Sequence, residues 1–194
     1  MNDPPMMMSV LDYRRLALMS LWIGLISTVG VVFAFIPNME LVTLTAFLGG
    51  IALGPGKGFL VAMLGEALFS AINPIGSGLG FPILYLFQIA GIGLSGLSGG
   101  LLAKWLISKE SVLTKSIIMG FLGLILTFIF DLLTALSFPL SAGMTEGTLL
   151  ATIGTGMLFF VMHMVSNTIL FTLFGAAFID LIDRQLLMHG LKRI

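Results

Sequence analysis

The sequence predicts an all-α membrane protein, a bundle of six transmembrane helices with both termini in the cytoplasm. Three observations predict it. Hydrophobic residues make up 58% of the chain and charged residues only 9%, with mean hydropathy +1.12. A soluble domain carries about 25% charged residues. Several apolar runs approach or exceed the roughly 20 residues a helix needs to cross a bilayer. Once six crossings are drawn, all nine Lys and Arg fall on one side and none on the other. Basic residues mark the cytoplasmic side, and a miscounted helix would scatter them.

The first helix spans about residues 14–35 and stops before Pro37. Arg14 and Arg15 precede it, after a retained cytoplasmic tail, 1–13, that lacks the pattern of a cleaved signal peptide. The second, about 40–54, ends at "GPGKG". The third, about 57–72, ends before "NPIGSGLGFP". These two are short, covering only about 21–24 Å each at 1.5 Å per residue. Four crossings plus a half-inserted hairpin is therefore the alternative to six. The fourth helix is about 82–106, the fifth about 115–140 and the sixth about 149–180. A basic amphipathic tail, 181–194, follows the bundle at 14–180.

Composition also excludes. With no cysteine there is no disulfide, thiolate metal site or Cys nucleophile. A net charge of zero gives a nucleic-acid partner no electrostatic support. The three connections on the outer side, "IPNME", "NPIGSGLGFP" and "SAGMTEG", are too short to form a catalytic domain.

Two stretches of small residues point to close helix contacts. Ser20, Gly24 and Thr28 recur every four residues in the first helix, with Ala17 and Ser27 nearby. Such a stripe lets backbones approach, either inside the bundle or against another membrane subunit. The fourth helix carries "GIGLSGLSGG", with five glycines and two serines in ten residues, which suits a neighbour crossing closely. No Lys-Ser or Lys-Thr pair follows, so it is no phosphate loop.

The polar residues within the apolar runs are the candidate site. His163 and Asn167 lie four apart, hence on one face of the sixth helix. Asp131 lies deep in the fifth helix, Gln88 and Tyr85 share nearly one face of the fourth, and Glu66 is in the middle of the third. Intramembrane ionisable groups are costly and usually face a cavity or one another. One reading is a structural network of Asp131, His163 and Asn167. For single residues that reading suits Asn167 and Glu66 best. The other is a pocket open to the outer side, lined by Asp131, His163, Gln88, Tyr85 and Asn167 below outer loops carrying Asn38, Glu40, Asn73 and Glu146. Such a pocket would hold a small polar ligand.

The stretch "IPNMELVTLTAFLGGIALGPGKGFLVAMLGEALFSAINPIG", with "FDLLTAL" in the fifth helix and "HMVSNTILF" in the sixth, resembles the substrate-binding membrane subunits of energy-coupling-factor (ECF) vitamin transporters. The resemblance covers about residues 15–180. It implies a subunit of the cell membrane that captures a vitamin or related micronutrient on the outer side. The pocket would lie among helices four to six. The subunit would have no ATPase of its own and no cofactor. Its partners would be a membrane coupling subunit and two cytoplasmic ATPases, docked through helices one to three. The family's small-residue docking motif corresponds to the stripe of Ala17, Ser20, Gly24 and Thr28, with Ser20 and Gly24 replacing the usual alanines. The metal-transporting branch uses an N-terminal Met-His segment; this chain begins Met1-Asn2-Asp3, so no metal site is expected.

Two other classes compete. "GLSG", residues 93–96, with His163 two helices later, resembles the Ser–His dyad of rhomboid intramembrane proteases, which would make Ser95 a nucleophile. An anchor or assembly subunit of a membrane complex would need no ligand at all.

Overall fold

A computed structural model describes residues 10–109 and 111–188. These form six α-helices: α1 (Val10–Phe33), α2 (Val42–Leu53), α3 (Pro55–Ile72), α4 (Pro82–Ile107), α5 (Val112–Ala142) and α6 (Glu146–Met188). The only other regular element among the described residues is a 3-10 turn, Gly78–Gly80. Both outermost tail segments, with Lys192 and Arg193, lie outside the described residues.

Five helices are long and apolar enough to cross a membrane, as in a multi-pass membrane protein. Their outward faces carry Leu21, Leu25, Val32, Phe128, Leu158 and Phe174, which suit lipid rather than water. The sixth, α2, has only twelve residues, about 18 Å of helix. Eleven of the twelve are buried. A helix that is apolar all round is enclosed by others, and α2 lies against α1, α3, α4 and α6.

Glycine makes that enclosure possible. A methyl group added at Gly50 of α2 would overlap the Gly96 carbonyl of α4, and one at Gly99 would overlap the Phe47 carbonyl. Gly58 of α3 faces the Gly50 backbone just as closely. The glycine-rich half of α4 thus lets three backbones meet without side chains between them. The α2–α3 corner turns at Gly54, whose φ of 82° favours glycine, and Pro55 then opens α3.

The α1 stripe does not pack inside the bundle. Ala17, Ser20, Gly24 and Thr28 are all exposed. Gly24 has nothing near its missing side chain. The contact face of α1 is offset from the stripe, at Trp22, Ile26 and Ser27. Ile26 sits against Gly65 of α3, and the Ser27 hydroxyl donates to the Gly65 carbonyl at 2.9 Å.

One end of the bundle gathers the start of α1 and the end of α6, where Arg14, Ala17 and Leu21 share a depression with Gln185 and Met188. Lys115 pairs with Asp180 on the α5–α6 contact. The α2–α3 corner packs on Gly100 at the same end. The opposite end carries the α1–α2 and α3–α4 connections. The expected helix limits shift by a few residues. The largest change is at α6, whose 43 residues run through Met188.

Candidate functional site

The α1–α2 connection builds the first wall. Asn38 turns the chain in the left-handed region, φ 58°, which Asn tolerates better than most residues. The turn brings Glu40 to the start of α2. There its Oε1 accepts the Thr43 backbone N–H at 2.9 Å and the Thr43 hydroxyl at 3.1 Å. Leu41 at the N-cap cannot cap with its own side chain, so Glu40 does so. Its negative charge also suits the positive end of the helix.

The other Glu40 oxygen, Oε2, lies 3.0 Å from Nε2 of His163 on α6. The Nδ1 of the same ring lies 2.7 Å from Oδ1 of Asp131 on α5. Neutral imidazole has one N–H, so it can donate to just one of these carboxylates; the doubly protonated ring donates to both. Asn167, one turn further along α6, donates to the Thr127 hydroxyl at 2.9 Å and lies 3.2 Å from His163 Nε2. Asp131 and His163 are each 4% exposed, and Thr127 and Asn167 are fully buried. Burial pushes the Glu40 carboxyl up, but the hydrogen bond and charge of His163 and the Thr43 donors outweigh it. The net effect sets Glu40 below its ordinary value of 4.5.

His163 and Glu40 form part of the wall of a cavity of about 390 Å³. That is the size of a small-molecule site. Asn38, Asn73, Gln88 and Glu66 add polar groups, and Phe33, Phe69, Phe130 and Phe159 add aromatic surface. Exposed Phe35 and Ile75 stand at its rim, so it opens between the α1–α2 and α3–α4 connections.

Five of the expected residues thus meet at one cavity: Asn38, Glu40, Asn73, Gln88 and His163. Glu146, at the start of α6, does not line it, and three others do not reach its wall. Asp131 stands behind the His163 ring and holds it. Asn167 is fixed to Thr127 in the α5–α6 contact. Tyr85 turns its hydroxyl to the Ala67 carbonyl of α3 at 3.0 Å, tying α4 to α3. The cavity is also not a feature of α4 to α6 alone, since α1, its connection to α2, and α3 supply much of the wall. Gln88 is positioned from α3 as well, its Oε1 accepting the Ser70 hydroxyl at 2.8 Å.

Glu66 is where the reading from sequence was incomplete. It is 2% exposed and on the cavity wall, with no hydrogen-bond partner among the described residues. A signal was available: Glu66 and Phe69 share one face of α3, Asn73 follows just past its end, and all three line the cavity.

A Ser95–His163 dyad is not formed. The Ser95 hydroxyl donates to the Gly91 carbonyl of its own helix at 3.3 Å. Both nitrogens of His163 face carboxylates. Protein-family models, curated proteins and solved structures give no match to this chain.

Proposed function

We propose that this protein is the substrate-binding membrane subunit of an ECF-type transporter. It captures a vitamin or related small micronutrient in the cavity and passes it inward with an ATP-driven coupling module. The observation that carries the reading is the cavity itself. A chain with only 9% charged residues places Glu40, Glu66, Gln88 and His163 around one ligand-sized space. The sequence resemblance supplies the transporter class.

Orientation follows from the basic residues. Arg14, Arg15, Lys57, Lys104, Lys109, Lys115 and Arg184 belong to the end opposite the cavity. The positive-inside rule puts that end and both termini in the cytoplasm of a cell-membrane protein, and the cavity mouth outside. The exposed face of Ala17, Ser20, Gly24 and Thr28 is the proposed contact for the membrane coupling subunit, which brings two cytoplasmic ATPases. The subunit itself carries out no catalysis and needs no cofactor.

The test is gentle solubilisation of native membranes and capture of the tagged chain. The expected result is a complex containing a second membrane subunit and ATPases, with ATP-dependent uptake of a small molecule after reconstitution. Capture of a complex lacking both ATPase and transported molecule would make the chain an assembly subunit instead.

A further inference from the structure

Two groups on the cavity wall stand without a hydrogen bond and can accept one from a ligand. Asn38 Oδ1 is buried with no hydrogen bond. The Glu66 carboxyl is buried on the wall with no partner among the described residues. Glu40 and Asp131 already share the one imidazole, so the surroundings carry three carboxyl groups against a single basic ring. Among the described residues no Lys or Arg lines the cavity. Burial penalises the ionised form of a carboxyl that has no partner, and an unmatched amide oxygen is costly as well. Both costs fall when a ligand brings positive charge and N–H donors.

The remaining wall suits the same ligand. Phe33, Phe69, Phe130 and Phe159 line the same space as the acidic groups. Aromatic faces attract cations, most strongly where water is excluded. Among the described residues no three acidic or histidine side chains converge as metal ligands, so the pattern favours an organic cation over a bare ion.

Resting on the substrate-binding reading above, we propose that the cavity selects a small organic cation, a protonated amine or ammonium-bearing ring. Its N–H groups meet Glu66 and Asn38, and its apolar body lies against Phe33 and Phe69. Glu66 is then a binding residue and not a packing accident of α3.

Three probes with one ring system and different charge test this on the purified full chain in nanodiscs: tryptamine, tryptophol and indole-3-acetate. Titration should show tryptamine binding at least about tenfold more tightly than the neutral or anionic compound, the scale of a hydrogen bond to a charged group. Glu66→Gln keeps the side-chain shape and should erase that preference. If the variant does not fold, the wild-type ratio alone decides. A preference that survives Glu66→Gln overturns the proposal, as does equal or tighter binding of tryptophol or indole-3-acetate; that second outcome leaves the cavity as a ligand site. If no probe binds, native mass spectrometry of protein taken from its membranes decides. A retained cation supports the proposal, and a retained neutral or anionic molecule overturns it alone. No retained molecule overturns both it and the substrate-binding reading.

Discussion

Removing the His163 ring should destabilise the protein far more than a lost membrane hydrogen bond would. His163→Ala strips Asp131 of the partner at 2.7 Å, and the other Asp131 oxygen is already buried without one. Glu40 loses its 3.0 Å partner as well but keeps Thr43. Breaking one side of a buried ion pair costs about 3–5 kcal/mol. A neutral interhelical hydrogen bond in a membrane bundle averages about 0.6 kcal/mol. Asp131→Asn preserves an acceptor for Nδ1 and removes the charge, so alone it should cost about 1 kcal/mol. In the double variant no carboxylate is left stranded on α5. The two losses should then fail to add, with a coupling of about 1–3 kcal/mol. Reversible unfolding in mixed micelles, followed by circular dichroism on all four proteins, measures it. A coupling no larger than about 0.6 kcal/mol would refute the charged pairing and leave an ordinary hydrogen bond.

Other consequences follow from separate parts of the bundle. Gly50→Ala and Gly99→Ala force a methyl group into a neighbouring backbone and should each cost about 1–3 kcal/mol or more in the same unfolding assay. Gly24→Ala meets nothing and should be neutral or stabilising by up to about 1 kcal/mol. Gly24→Leu should leave folding and ligand retention intact and abolish capture of the ATPase-containing complex; loss of folding instead would assign the stripe to packing. The lowered Glu40 carboxyl contributes stability that is full above its ordinary value of 4.5 and is lost as pH falls through its folded value. Wild-type melting temperature should therefore drop more steeply below about pH 4.5 than that of Glu40→Gln, and parallel curves would contradict the assignment. Reporter fusions at both termini should read cytoplasmic.

The helices were legible because each is written in local terms. Long apolar runs, Pro37 and "GPGKG" mark where they stop, and the glycines of α4 announce a close crossing. Even the short α2 follows once its uniform apolarity is taken as enclosure. The site was legible only in part. His163 and Asn167 show their shared face through spacing. The pairing of Glu40 with His163 joins residues 123 apart in sequence, and no periodicity reports it. Which small-residue face of α1 turns outward depends on how Ile26 seats on Gly65, a tertiary fact. Glu66 looked solitary because its companions, Phe69 on α3 and Asn73 just past its end, are unremarkable until a cavity collects them.

The central claim is that a small molecule occupies this cavity, and occlusion tests it most directly. Ala34 lies on the cavity wall in the α1–α2 connection, outside the packed core. Native mass spectrometry of wild type and Ala34→Trp, prepared side by side from membranes, compares the bound fraction. The account predicts a small molecule retained by the wild type and absent from Ala34→Trp, with matching melting temperatures. Equal retention by the two proteins would place the ligand elsewhere and contradict the account.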